Sequence, residues 1–280
     1  MKLVVVALGG NAVIRAKERA IAERQIARIN KTISYLKPLA KNSFLITHGN
    51  GPQVGNLLFQ QRNSRKFLPE MPLDVLDSMT QGQLGYWIQQ AVQNILHRNA
   101  VTVITRVLVD KNDRAFKRPT KPIGQKAWKK LVASPKPIKI VDAKAIEKLI
   151  KNNFIVIACG GGGIPVIKQH NSLSGIEAVV DKDYATQKLA SQLKAEMIIF
   201  LTDVEYVYHN YGKFDQKPIR RLNVKEAIKY LGENQFKEGS MKPKIEASIE
   251  FLRQGGREVL VTSPEKLNLA LKGMTGTVIE

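Results

Sequence analysis

The stretch "LVVVALGGN", residues 3–11, places an unbroken apolar run directly before two glycines. A strand that is apolar at every position is typical of a parallel sheet covered by helices on both faces. A helical pattern follows at residues 12–39. The opening of the chain therefore predicts a unit made of a strand, a glycine turn and a helix.

The same unit recurs along the chain. Residues 43–47 form a second apolar run, which ends in "HGNGPQVG", residues 48–55, again with a helical pattern behind it. The further strand candidates, most of them separated by helical stretches, are residues 101–109, 138–141, 154–158, 197–201 and 258–262. This alternation predicts an α/β fold with a mainly parallel sheet between helices.

Two segments interrupt this rhythm. Residues 110–139 are rich in Lys and Pro, and their "RPTKPIG" and "SPKPIK" exclude a regular helix, so we expect an excursion from the sheet. Residues 166–180 alternate between apolar and polar side chains around Gly175, a pattern typical of a hairpin.

Composition limits the classes of protein. With 280 residues, 44% of them hydrophobic, the chain predicts one large or two small globular domains. It has no apolar run of membrane-spanning length and no secretion signal, so we expect a cytoplasmic protein. The single cysteine, Cys159, excludes an internal disulfide, and we expect it to be a small buried strand residue, not a nucleophile.

The chain is strongly basic. Its 44 Lys and Arg against 24 Asp and Glu give a formal charge of +20, which brings nucleic acid or an anionic membrane surface into consideration. The basic residues are spread along the chain, without zinc-finger spacing or an RNP-like aromatic motif, which argues against nucleic acid as the partner. A basic surface also suits a protein whose ligands are anions.

Three predicted strand ends are rich in glycine, namely residues 9–11, 49–51 and 160–163. Ligands of open α/β sheets collect at this edge, and glycine lets backbone N–H groups approach an anion closely. The run at 160–163 alone is open to three interpretations: a linker, a turn between strands, or a surface for a phosphate. Three such loops at one edge favour an anion site, although neither common nucleotide fingerprint is present.

The second half of the chain adds cations and carboxylates. "DKD", residues 181–183, opens a helical pattern with a carboxylate placed to cap it, and "MKPK" sets Lys242 and Lys244 before another helix. Phosphoryl transfer requires positive charge around the moving group, usually with Mg²⁺, and a carboxylate such as Asp183 can orient lysines or hold the metal through water. The alternative is that these are solvated lysines at helix starts.

Taken together, these motifs resemble the carbamate kinases of the amino-acid-kinase family. The resemblance runs from residue 6 to residue 277 through "ALGGNA", "HGNGPQVGNL", "PLDVLDSMTQGQLGYWIQQA", "RPTKPIG", "SPKP", "ACGGGGIPV", "GIEAVVDKD", "LTDV" and "GMTGT". It implies a three-layer α/β/α fold with an open, mainly parallel sheet. It also implies a single domain, 1–280, with an acceptor and dimer half at about 1–175, a lid at about 110–139 and a nucleotide-binding half at about 176–280.

The resemblance further implies the reversible reaction of ATP with carbamate to give ADP and carbamoyl phosphate, run toward ATP synthesis in arginine fermentation. Mg²⁺ is then held by the phosphates without a direct protein ligand, and a homodimer forms through residues 73–96. Carbamate is already an anion, so no general base is needed, and we expect His48 to orient a loop.

Site residues follow from the same resemblance, position by position. The implied catalytic residues are Lys121, Lys182, Asp183 and Lys244. The implied substrate and phosphate loops contain Gly9, Gly10, Asn11, Gly49, Asn50, Gly51, Gly160, Gly161 and Gly162. The implied nucleotide site contains Thr202, Asp203, Val204, Tyr206, Phe236, Met241 and Lys244.

Two departures from the family stand out. The insertion between "TKPIG" and "SPKP" is shorter than in most members, so we expect a small lid, and Lys242 stands where glycine is usual. Two rival hypotheses remain. One is an enzyme of this fold that uses another small acid as acceptor, and the other is a non-catalytic paralogue whose basic surface binds a polyanion.

Overall fold

The computed structural model describes residues 3–14, 18, 20–123 and 130–280, without the side chain of Asn11. Its strands are β1 Leu3–Leu8, β2 Ser43–His48, β3 Ala100–Thr102, β4 Arg106–Val109, β5 Lys121–Ile123, β6 Lys130–Val132, β7 Pro137–Ile140, β8 Ile155–Ile157, β9 Ile164–Gln169, β10 Ser172–Gly175, β11 Met197–Leu201, β12 Val207–His209, β13 Lys217–Ile219, β14 Arg221–Leu222, β15 Glu258–Thr262 and β16 Thr277–Ile279. Its helices are α1 Ala22–Ser34, α2 Gly51–Ser64, α3 Leu73–Leu96, α4 Arg114–Lys117, α5 Ala143–Lys151, α6 Lys182–Gln192, α7 Val224–Gly232, α8 Met241–Arg253 and α9 Leu267–Ala270.

Eight of the described strands form the central sheet, in the order β14-β16-β15-β11-β1-β2-β8-β3. Neighbours from β15 to β3 are all parallel, whereas β16 runs antiparallel to β15 and β14 runs parallel to β16. The mainly parallel sheet predicted from the sequence is therefore confirmed.

Helices cover both faces of this sheet. Alternate residues of β1 point to opposite sides, so that Val4 and Val6 belong to one core cluster and Val5 and Ala7 to another. The first cluster includes buried residues of α1 and α3, and the second includes buried residues of α5, α6 and α8. The result is the three-layer α/β/α arrangement that the resemblance implied.

The predicted strand at residues 101–109 is wrong as a single element. The chain forms β3 in the central sheet, breaks at Val103–Thr105, and continues as β4 in a smaller sheet of order β10-β9-β4-β7. The break is fixed by hydrogen bonds, because the Thr105 backbone N–H donates to Gln81 Oε1 at 2.7 Å and the Thr105 hydroxyl donates to the Val103 carbonyl at 2.7 Å.

Three other segments refine the sequence predictions. Of the helical pattern at 12–39, the described part contains helix only at Ala22–Ser34 beyond short 3₁₀ turns. The predicted hairpin at 166–180 exists, but its turn lies at His170–Asn171, and Gly175 pairs with Val166 inside it. Residues 110–139 do leave the central sheet: they hold the short helix α4 and the hairpin β5–β6, and end at β7.

Candidate active site

The three glycine loops meet at one edge of the central sheet. They follow β1, β2 and β8, and these strands are neighbours in the order β1-β2-β8, so the loops lie side by side. A cleft of about 340 Å³ opens at this edge and is lined by Gly9, Gly10, Gly49, Asn50, Gly51 and Gly161 on the glycine side. The structure thus brings residues of all three loops together around one cleft.

The glycines of the first two loops serve two purposes. A Cβ on Gly9 would lie 2.8 Å from the Leu201 carbonyl oxygen, whereas a Cβ on Gly10 or Gly51 would have no atom within 4 Å. Gly9 is therefore required by packing, and Gly10 and Gly51 leave bare backbone toward the cleft. The backbone of Asn11 continues the first loop in the 3₁₀ turn Gly10–Ala12, and its side chain lies outside the described part of the chain.

Within the run at 160–163, the described cleft lining includes Gly161 but not Gly160 or Gly162. A Cβ on Gly160 would lie 2.7 Å from the His48 ring, and one on Gly162 would lie 2.1 Å from the Val180 carbonyl oxygen. Gly161 and Gly162 also have positive φ values of 68° and 98°. Gly160 and Gly162 thus support the wall by close packing from behind, and Gly161 lines the cleft itself.

The amino terminus of α6 supplies charge to the opposite wall. Asp181 caps the helix, since its Oδ1 accepts a hydrogen bond from the Asp183 backbone N–H at 3.0 Å. The next residue, Lys182, donates from Nζ to Asp183 Oδ1 at 2.6 Å. All three side chains line the cleft.

Lys244 completes this group from the first turn of α8. Its Nζ donates to Asp183 Oδ2 at 3.0 Å and to the Ser240 carbonyl at 3.2 Å, and its side chain is buried. Each oxygen of Asp183 therefore accepts a hydrogen bond from one lysine, so this carboxylate orients Lys182 and Lys244. Burial alone would raise the pKa of Asp183, but the charges of Lys182 and Lys244 and their hydrogen bonds hold it at about 2. Burial in turn lowers the pKa of Lys182, against the attraction of Asp183.

The fourth predicted catalytic residue, Lys121, reaches the cleft from the hairpin β5–β6. Its Nζ donates to Asp181 Oδ2 at 2.5 Å. The hairpin that carries Lys121 is thus tied to the capping residue of α6, and Pro122 and Ile123 line the cleft beside it. Residues 124–129, where the sequence departs from the family, lie outside the described residues.

His48 and Cys159 lie behind the glycine loops. His48 is buried and its Nδ1 contacts the Gly49 carbonyl at 3.1 Å. Burial, with a smaller contribution from the charge of Lys182, lowers its pKa to about 4 despite the bond to Gly49, so the ring is neutral at pH 7. Contact with the loop agrees with the orienting role expected of His48.

Cys159 is buried as expected but does not belong to a strand. It follows β8 with a left-handed φ of 50° and donates its backbone N–H to Thr105 Oγ1 at 3.0 Å. Burial raises the pKa of its thiol, which keeps it protonated and unreactive.

A second cavity of about 170 Å³ adjoins the cleft, and the two share Thr202, Asp203 and Ser240. Its lining includes the predicted nucleotide residues Thr202, Asp203, Val204, Tyr206, Phe236 and Met241. It also includes Tyr208, Tyr211, Gln235 and Lys237, which the sequence motifs did not single out. The rings of Tyr206 and Tyr208 pack edge to face at 6.1 Å, so this cavity is aromatic where the cleft is polar.

Lys242, the cation found where the family usually has glycine, turns away from both cavities. Its Nζ pairs with Glu238 at 2.5 Å, and it is absent from the described lining of the cleft and of the aromatic cavity. In this position Lys242 neither adds a phosphate contact in the cleft nor crowds the aromatic cavity.

Comparison with known proteins connects this geometry to a family. Residues 2–263 match the model of the amino acid kinase family. The chain is 43% identical to a carbamate kinase of Oenococcus oeni over 308 aligned positions, which cover 99% of this chain and 98% of the relative. It is 39% identical to a carbamate kinase of Thermococcus kodakarensis, covering 100% of this chain and 99% of the relative. Because 308 positions exceed the 280 residues of this chain, the first relative carries residues without a counterpart here.

Solved structures of carbamate kinases also resemble this chain. A carbamate kinase from Giardia lamblia bound to AMP-PNP superposes with a TM-score of 0.95 at 36% identity, covering 99% of this chain and 98% of that one. The chain belongs to the amino acid kinase family. Within that family, it belongs with the carbamate kinases.

No described helix is both long and apolar enough to cross a membrane. Among the residues with described positions, no cluster of three or more His, Cys, Asp and Glu side chains is arranged to hold a metal ion.

Proposed function

We propose that this chain catalyses reversible phosphoryl transfer between ATP and carbamate. The observation that carries the proposal is the convergence of Lys121, Lys182 and Lys244 on one cleft bounded by bare glycine backbone. Two anions must meet in this reaction, and lysines with backbone N–H groups offset their repulsion. The aromatic cavity beside the cleft suits the adenosine of a nucleotide. The similar carbamate kinase of Giardia lamblia binds AMP-PNP, a nucleotide of this kind.

The residues of the cleft carry distinct roles in this proposal. Lys182 and Lys244, fixed by Asp183, contact the transferring phosphoryl group, and Lys121 contacts it from the hairpin. Carbamate attacks without loss of a proton, which agrees with a neutral His48 that is engaged by its own loop. Mg²⁺ bound to the phosphates would supply further charge neutralisation, and Asp203, which lines both cavities, is placed to hold it through water.

The chain is then organised in two functional halves. Residues 1–175 supply the acceptor loops and the short lid at about 110–139, and residues 176–280 supply the nucleotide site. We further propose a cytoplasmic enzyme that runs toward ATP synthesis in arginine fermentation, as the resemblance implies.

A homodimer through α3 belongs to the same proposal. The stripe formed by Leu76, Leu84 and Ile88 is fully buried in the protein's own core, so it is not the contact surface. The outer face of α3 instead exposes Met79 and Tyr86, and Phe67 and Leu68 lie exposed just before the helix. We expect Tyr86→Asp to convert a dimer to a monomer in light scattering, whereas Phe214→Asp, at a fully exposed aromatic residue outside α3, leaves the mass unchanged.

The activity is tested by adding ADP, Mg²⁺ and carbamoyl phosphate to the purified protein and measuring ATP. We expect ATP from the wild type, a large loss for Lys121→Ala, and near-normal rates for Lys130→Ala, which alters the other strand of the same hairpin. Folded protein that makes no ATP would contradict the proposal. ATP from acetyl phosphate but not from carbamoyl phosphate would favour the rival with another acid as acceptor.

A further inference from the structure

Asp77, on the second turn of α3, is a buried carboxyl group that lies next to the cleft but does not line it. Its Oδ1 accepts a hydrogen bond from Asn50 Nδ2 at 2.8 Å. Its Oδ2 is buried and has no hydrogen-bond partner in the described part of the protein. A buried carboxyl oxygen without a partner lowers stability, so the presence of an acid at this position calls for a reason beyond packing.

That reason lies in the orientation of the Asn50 side chain. Asn50 Nδ2 donates to Asp77 Oδ1 and also to Thr80 Oγ1 at 2.7 Å. The Thr80 hydroxyl gives its own proton to the Asp77 carbonyl at 2.9 Å, so toward Asn50 it can only accept. Both groups on α3 therefore face the nitrogen end of the amide, and a flipped amide would lose the bond to Thr80, which can only accept.

This arrangement fixes what Asn50 offers to a ligand. Both amide hydrogens are used by α3, so the remaining polar atom, Oδ1, is an acceptor only. Asn50 lines the cleft, and among the described hydrogen bonds none reaches its Oδ1. Gly161 packs against the amide so closely that a Cβ there would lie 2.2 Å from Nδ2, which prevents the side chain from moving toward the glycine wall.

We propose that Asn50 Oδ1 accepts a hydrogen bond from the NH₂ group of the substrate, and that Asp77 is the positioning residue that keeps this oxygen in place. The inference rests on the proposed function and identifies the atom that distinguishes carbamate from other small acids. Carbamate and acetate have nearly the same shape and differ by NH₂ against CH₃. A site with a fixed acceptor rejects the methyl compound, since the acceptor is then left unpaired.

The environment of Asp77 suits this role. No described lysine, arginine or histidine hydrogen-bonds to Asp77, and the charge that acts on it is that of Asp74 on the same helix. Burial raises the pKa of Asp77 to about 8, although the Asn50 bond opposes the shift, so the group is a neutral acid at pH 7. A neutral acid keeps a carbonyl acceptor for Asn50 and adds no negative charge beside the anionic substrate.

The test compares two phosphoryl donors of matched shape, carbamoyl phosphate and acetyl phosphate, with ADP and Mg²⁺. The measured quantity is the ratio of their kcat/KM values. We expect Asp77→Ala to lower this ratio about ten-fold, the effect of one lost hydrogen bond, and Asp77→Asn to keep it within about two-fold because the acceptor remains. The control Asp74→Ala, which removes a half-buried acid one turn earlier in α3, leaves the ratio unchanged.

Other outcomes separate the possible explanations. If Asp77→Ala lowers both rates in equal proportion, Asp77 is structural only and the inference is overturned. If it does not fold, as judged by ADP binding in calorimetry, Thr80→Val removes the second acceptor and must lower the ratio in the same direction. If the wild type makes ATP from neither compound, the proposed function itself is wrong. If the wild type makes ATP but neither variant changes the ratio, only the inference about Asn50 and Asp77 is wrong.

Discussion

Asp183 and Asp77 are two buried aspartates beside one cleft, and their protonation is opposite. Burial disfavours the charged form of both. Asp183 accepts hydrogen bonds from two lysine ammonium groups, and its pKa falls to about 2. Asp77 accepts a hydrogen bond from an amide N–H group, and its pKa rises to about 8. The comparison teaches that the charge of the partner, not the depth of burial, decides which carboxyl group is ionised.

The largest expected effect comes from removing a cation on the Asp183 side. Lys244→Met should lower kcat by about 10²–10³-fold, as for loss of one charged group that stabilises a transition state. Lys242→Met is the matched control, because Lys242 lies two residues away on the same helix and pairs with Glu238 outside the cleft. Steady-state ATP formation measures both variants, and equal rates for the two would remove Lys244 from the mechanism.

The next effect concerns stability at the same carboxylate. The folded-state pKa of Asp183 is depressed from 3.8 to about 2, so its contribution is present above about pH 4 and is lost as the pH falls through 2. Asp183→Asn should therefore lower the free energy of unfolding at pH 7 by about 2–3 kcal/mol and have a smaller effect near pH 2. Urea unfolding at the two pH values checks this, and a pH-independent loss would contradict the ionic interpretation.

A pH effect of the opposite sign is expected at Asp77. Its folded-state pKa is raised above the ordinary 3.8, so the wild type loses stability as the pH rises from about 4 through 8. Asp77→Asn lacks this loss, so its stability relative to the wild type should rise steadily between pH 5 and pH 9. Thermal unfolding from pH 5 to pH 9 measures the difference, and parallel curves for the two proteins would contradict a raised pKa.

Much of this arrangement follows from local sequence patterns. The apolar runs of β1, β11 and β15 and the long helix α3 are recognisable because period and length alone specify them. The charged group around Asp183 can be predicted because "DKD" combines a helix-capping carboxylate with a lysine at the start of a helix.

Other features depend on contacts that are distant in sequence. The break between β3 and β4 is set by the side chain of Gln81 on α3, which no pattern within residues 101–109 reveals. Asp77 looks like a solvated helical acid until Asn50 is placed against it. The separate roles of Gly160 and Gly161 likewise depend on which atoms lie within reach of each missing Cβ.

The pairing of lysines with aspartates has a consequence for how substrates arrive. Among the described lining residues of the cleft, positive and negative side chains are equal in number: Lys121, Lys182 and Lys244 against Asp181, Asp183 and Asp203. The cleft therefore exerts little net attraction on an anion at a distance. The formal charge of +20 on the whole chain supplies this attraction instead and draws phosphate compounds to the protein surface. From the surface they diffuse into the cleft, where the hydrogen-bond donors act only at contact distance.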